Sequence, residues 1–155
     1  MLALAGVAAA ANAPTGSYWV QSVTLTPKGS PHGEGGASGG VTICLDSLQS
    51  LVAYNFTALT LADAPKKGQI RHGSGGTAVV TFGAPGMIDP TVGEVEWNDS
   101  TTASASAVSQ LASKPGGYYV VVTTRAYPNG ALRGRLGGWK KVATDSDAAS
   151  ECAFS

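Results

Sequence analysis

The sequence predicts an all-β protein, a single antiparallel β-sandwich of Greek-key-like type with about seven or eight short strands. Three observations lead there. Gly and Pro are abundant, 21 and 8 of 155 residues, which disfavours a helical bundle. Short runs rich in Val, Thr, Ile and Tyr alternate in polarity between turn residues. Hydrophobic residues make up 43 % of the chain, enough for one buried core in one domain and too many for a disordered chain.

The elements follow in order. Tyr18 to Thr26 reads as a strand, and Pro27 to Gly40 as a Gly-rich loop. In Val41 to Asp46, Val41, Ile43 and Leu45 share one face, and Thr42, Cys44 and Asp46 share the more polar one. Asp46-Ser47 signals a turn. In Leu51 to Thr60, Val52, Tyr54, Phe56 and Ala58 point one way, opposite Asn55 and Thr57. Ala62 to Gly68 reads as a loop with Lys66-Lys67 at a solvated tip. Gln69 to His72 is a short strand, Gly73 to Gly76 a turn, and Thr77 to Phe82 a strand. Gly83 to Pro90 is turn-rich, and Gly93 to Trp97 reads as a strand. Thr101 to Lys114 is the one helix-like region, closed by Pro115-Gly116-Gly117. Tyr118 to Thr124 is the strongest strand; the turn Tyr127-Pro128-Asn129-Gly130 returns the chain as a partner strand over Ala131 to Val142.

Charge narrows the function classes. Ten basic residues balance ten acidic ones, and only 13 % of residues are charged, about half the usual share. No basic run is present, which argues against nucleic acid or an anionic membrane surface as the main partner. The apolar stretch Met1 to Ala13 ends in Ala11-Asn12-Ala13, a small-x-small cleavage pattern, and reads as a secretory signal peptide with a truncated start, since no basic residue precedes it. The plainer reading is an apolar terminus without a targeting role. The stretch is too short for a membrane span, which needs ~20 apolar residues. Asn55-Phe56-Thr57 and Asn98-Asp99-Ser100 match the N-glycosylation acceptor pattern, making Asn55 and Asn98 candidate glycan sites of an extracellular protein. The two cysteines, Cys44 and Cys152, permit one disulfide between an early strand and the polar tail 143–155. Closing a loop of about 109 residues contributes roughly 4 to 5 kcal/mol in the chain-entropy account. The other reading is two unrelated thiols.

The most informative segment is Tyr119-Val-Val-Val-Thr-Thr-Arg-Ala-Tyr-Pro-Asn-Gly-Ala-Leu-Arg-Gly-Arg-Leu136. It resembles the closing signature of the CHRD (chordin-type) domain, roughly Tyr-Val-Asn-Val-His-Thr, a Pro-Gly turn, then Glu-Ile-Arg-Gly-Gln-Leu. Gly68-Gln69-Ile70-Arg71-His72-Gly73 stands where the family usually has Ala-His-Ile-His and a Gly-rich turn. The likeness runs from about Tyr18 to Trp139 and gives a CHRD-like domain over 18–142. It implies a secreted or surface β-sandwich, as in chordin-like extracellular antagonists and microbial proteins of unassigned function. The departures matter. The family histidines fall on Gln69, Arg71 and Thr123, and the Glu before Ile-Arg-Gly on Ala131; Arg133, Gly134 and Leu136 remain. A histidine cluster would suggest a metal, as in superoxide-dismutase-like sandwiches. Only His32 and His72 occur here, so no metal and no cofactor is expected.

Catalytic groupings are thin. His72 with Asp63 makes two-thirds of a triad, without a Gly-x-Ser-x-Gly elbow. Glu94 and Glu96 share a strand face, as an acid-base or calcium pair or simply as a solvated surface. Arg71, His72, Arg125, Tyr127, Arg133 and Arg135 form the candidate binding set, since guanidinium groups beside aromatics suit a carboxylate or sulfate on a glycan. For Arg133 a structural role in the hairpin competes. Trp19, Trp97 and Trp139 read as core or edge cover, or as a sugar-stacking platform. The function expected is a non-catalytic, secreted binding module whose partner is an extracellular protein or polysaccharide. The alternatives are a metal-dependent, superoxide-dismutase-like enzyme and a purely structural wall or matrix component.

Overall fold

The structure is a computed structural model that describes residues 18–27, 33–73, 75–85, 95 and 97–142. The leader reading over 1–13, His32, Glu94, Glu96, Cys152 and the tail 143–155 all lie outside the described residues.

Two antiparallel sheets face each other. The first has the order β6 (Trp97–Thr102), β3 (Leu51–Thr60), β2 (Ser38–Asp46), β1 (Tyr18–Leu25), β9 (Lys140–Val142). The second has the order β5 (Ala78–Thr81), β4 (Pro65–His72), β7 (Tyr118–Thr124), β8 (Leu132–Arg135). The expected sandwich is therefore present, with nine strands among the described residues. Its core is the set of inward residues that strand alternation selects from both sheets, including Val41, Ile43, Leu45, Val52, Ile70, Val120, Val122 and Leu132. One helix, α1 (Ala105–Ser113), starts where the Ser104 hydroxyl accepts from the Ala107 amide at 3.1 Å, and buries Val108 and Leu111 in the same core.

An aromatic group packs the sheets together. Phe56 stacks on Trp97 with ring centroids 4.3 Å apart, and Tyr54 lies 4.4 Å from Phe82. Both polar tips reach Gly83: the Tyr54 hydroxyl accepts its amide at 2.7 Å and the Trp97 indole donates to its carbonyl at 3.0 Å. Opposite the rings is Gly68, where a Cβ would stand 2.6 Å from Trp97. Trp97 is thus a core residue. Trp19 and Trp139 are partly buried against the core, and Trp139 donates to the Leu111 carbonyl at 2.7 Å.

Several elements differ from expectation. The stretch read as a loop over Ala62 to Gly68 is strand from Pro65 onward, because Lys67 and Gly68 pair with Thr123 and Val122 of β7. The strand read over Gly93 to Trp97 lies mostly outside the described residues; Trp97 is in strand as expected, and β6 takes in Thr101 and Thr102 as well, since it pairs along β3 as far as Leu51. The return strand Ala131 to Val142 is two strands. β8 pairs with β7, and β9 pairs with β1 in the opposite sheet. The break falls at Gly137-Gly138, where the buried Gln21 side chain accepts the Gly137 amide at 2.8 Å. Ala58 does not point inward with the aromatics. The β2 and β3 registers slip between Ser38 and Gly40, Ala58 takes φ +49°, and the phase shift buries Leu59 in its place. Cys44 faces outward as expected but is only 1 % exposed, in a small second cluster with Tyr18, Val20, Ala53 and Val142. There are no free thiols among the described residues.

One buried acid gave no signal in the sequence. Glu34 donates its amide to the Ala131 carbonyl, and its carboxylate accepts from the Ala62 amide. It ties the β1–β2 loop to the β3–β4 link and to the start of β8.

β1 and β8 close one side of the sandwich. Thr26 and Arg133 exchange two backbone hydrogen bonds of 3.0 and 2.8 Å. Close approach is possible because the next residue is Gly134, where a Cβ would lie 2.5 Å from both the Thr24 carbonyl and Val23. Gly134→Ala should therefore lose about 1 to 3 kcal/mol by overpacking. In a domain of this size each kcal/mol lowers Tm by roughly 2 to 4 °C. Gly137→Ala, with nothing within 4 Å of the added Cβ, should melt as the parent does. Burial, together with the nearby Asp99 charge, raises the Tyr54 phenol above its ordinary value despite the opposing Gly83 bond. The neutral phenol thus favours the fold. That contribution is complete below about pH 10 and falls as pH rises, because the unfolded phenol ionises first. Urea midpoints measured from pH 8 to 11 should fall less steeply for Tyr54→Phe than for the parent.

Candidate anion-binding site

The outward face of the four-stranded sheet carries the site. Its strand sequences contain Lys66, Lys67, Arg71, Arg133 and Arg135 and no acidic residue. A chain of zero formal charge is therefore locally basic. Alternation puts Lys67, Gln69 and Arg71 of β4 on the outer surface, while Gly68 and Ile70 face the core. Register sets Lys67 opposite Thr123, Gln69 opposite Val121, and Arg71 opposite Tyr119; Val121 and Tyr119 then face Arg133 and Arg135 of β8. A bulge between Pro65 and Lys67 re-aims the strand there, so that Lys66 and Lys67 are both exposed despite being neighbours.

A cavity of about 150 Å³ opens at this end of the sheet, lined by Lys66, Lys67, Arg71, Thr123, Thr124 and Arg125. Arg71 is held in place: its Nε and Nη2 both donate to the Gln69 Oε1, at 3.1 and 2.8 Å. Gln69 in turn donates to the Thr81 hydroxyl at 3.1 Å. These partners are neutral, so Arg71 is oriented without being neutralised. The Thr124 hydroxyl accepts the Tyr127 amide at 3.1 Å and shapes the turn that carries Arg125.

The candidate residues separate into groups. Arg71 and Arg125 share the basic cavity. Arg133 is 6 % exposed, its guanidinium 5.9 Å from the Tyr119 ring centroid. Burial first, and then the Arg71 charge, lower its pKa, with Tyr119 opposing. The guanidinium stays charged at ordinary pH, so these effects act as a cost to folding. Arg135 turns toward the 3-10 turn Pro115–Gly117 and donates to the Gly116 carbonyl at 2.7 Å. Tyr127 is half-buried in the hairpin turn. His72 lines a different cavity, of about 570 Å³, with Gln110, Lys114 and Tyr118, its ring edge-on to Tyr118 at 5.1 Å. Asp63 precedes one end of β4 and His72 lies at the other, so a strand of roughly 25 Å separates the suggested pair. Asn55 and Asn98 are both exposed and face each other directly across β3 and β6. Lys66 and Lys67 were missed as site residues, because a bulge leaves no mark on alternation.

The chain matches the CHRD domain over residues 21–136 and belongs to that family. No curated protein and no solved structure matches it. The three positions that carry histidine in typical members, Gln69, Arg71 and Thr123, sit together on this outer face: two line the cavity and the third orients Arg71. An amide, a guanidinium and a hydroxyl do not fit a transition metal, and the fixed positive charge repels one. Among the described residues no group of three or more His, Cys, Asp or Glu side chains is placed to hold a metal ion.

Arg133→Ala should uncover Val121 and remove the contact with Tyr119, costing about 1 to 3 kcal/mol, measured as a lower urea midpoint. Arg125→Ala, at an exposed turn position, should unfold within about 0.5 kcal/mol of the parent.

Proposed function

We propose that this CHRD-domain chain is a secreted module that acts by binding an extracellular protein or polysaccharide, without catalysis. The observation that carries the reading is the one-sided charge: a sheet face with five cations and no acid in its strands, beside a cavity lined by Lys66, Lys67, Arg71 and Arg125. Such a face favours encounter with an anionic partner.

Secretion is supported by the leader-like Met1 to Ala13, by the pair Cys44 and Cys152, and by two acceptor triplets whose asparagines are exposed. Asn55 and Asn98 lie on the five-stranded sheet, so a glycan on either would cover that face and leave the basic face open.

Partner capture tests the proposal. The tagged protein is crosslinked in its native extracellular medium, and the co-purifying material is compared with that from Arg71→Ala/Arg125→Ala. A protein or glycan enriched on the parent several-fold over the double variant is the expected result. Equal recovery on both, or none above background, would remove the arginine site and leave a structural matrix role ahead.

A further inference from the structure

We infer that the cavity between β4 and the β7–β8 turn is a seat for one sulfate group of an acidic polysaccharide. This rests on the binding-module reading above and names its ligand class.

The first support is charge without compensation. Lys66, Lys67, Arg71 and Arg125 converge on one small cavity, and among the described residues none makes an ion pair. Like charges this close raise the energy of the empty site, and a bound anion relieves them. The same excess is felt at Arg133, whose guanidinium is disfavoured by Arg71. The second support is order. Arg71 spends two N–H groups on Gln69, which fixes the plane of the guanidinium and leaves its remaining donors free for a ligand.

Donor number selects the group. A volume of about 150 Å³ is sufficient for a single oxoanion. Four cationic side chains around it provide more donors than a carboxylate's two oxygens use. A sulfate half-ester offers three oxygens and keeps its charge at every physiological pH. The surrounding surface selects the carrier. Arg71 and Arg135 flank Tyr119 in one row across β4, β7 and β8, two strand spacings or roughly 10 Å apart. A stiff polymer with charge at regular intervals engages the seat and this row together. An acidic peptide would have to be ordered first, at an entropic cost.

The test is binding of the full chain to immobilised heparin as the sulfated probe, with polygalacturonate as the carboxylated one, poly-glutamate as the acidic peptide and dextran as the neutral polymer. The parent should bind heparin most tightly, with an affinity that falls as salt rises. Arg71→Ala/Arg125→Ala and, separately, Lys66→Ala/Lys67→Ala should each weaken it roughly tenfold or more while melting near the parent temperature. Lys140→Ala/Lys141→Ala removes the same charge from β9 in the other sheet and should bind nearly as the parent does. Equal loss in all three variants would reduce the effect to net charge and overturn the seat. Tighter binding to polygalacturonate would overturn sulfate as the group, and equal binding to poly-glutamate would overturn the polysaccharide. Heparin binding that is absent while partner capture still depends on Arg71 and Arg125 overturns this inference alone; failure of both overturns the reading beneath it.

Discussion

Two backbone hydrogen bonds between Thr26 and Arg133 are the constraint on which the rest of the molecule depends. They join the residue after β1 to β8, so the two sheets are bridged on that side. The contact demands that the following residue have no side chain, and Gly134 meets the demand with the β1 backbone against its Cα. Because β8 is fixed there, its alternation sends Leu132 into the core and Arg133 outward onto Tyr119. One short tetrapeptide therefore closes the sandwich and sets one side of the basic face.

The basic face is a product of pairing rather than of composition. Lys66, Lys67 and Arg71 belong to β4, whereas Thr123, Thr124 and Arg125 lie more than fifty positions later. Antiparallel register between β4 and β7 brings them to one cavity, and the bulge at Lys66 turns two adjacent lysines toward solvent. The inner side of the same strands is apolar, with Ile70, Val120 and Val122 buried, so the charges stand on a rigid support. Rigidity matters for an anion seat, because groups already held in place lose less entropy on binding. The positions that carry histidine in typical CHRD domains fall on this face, and in this chain they hold an arginine in place of a ligand set for a metal.

What was legible in the sequence was local. Tyr118 to Thr124 and Leu51 to Thr60 are strands because dense β-branched and aromatic residues fit a pleated, half-buried surface. The inward set Val41, Ile43 and Leu45 follows from a period of two. The failures share a cause. Ala58, Lys66 and the Gly137 crossover each mark a place where the period is broken by a bulge or by a change of sheet. A pattern of period two cannot report its own interruption. Glu34 was equally silent, since its burial is decided by Ala62 and Ala131, both remote in the chain.

By itself the sequence determined the class of fold, the family signature around Arg133-Gly134, the loss of the usual histidines, and the arginines worth watching. Those are properties of composition and short-range order, which the chain carries in any conformation. Only the tertiary structure decided which charges are neighbours. It separated His72 from Arg71, buried Arg133, tied Arg135 to a carbonyl, and joined two lysines read only as a solvated tip to Arg71 and Arg125. The reason is physical. Electrostatic coupling depends on distance through space, and in a sheet that distance is set by register and bulges between strands far apart in the chain.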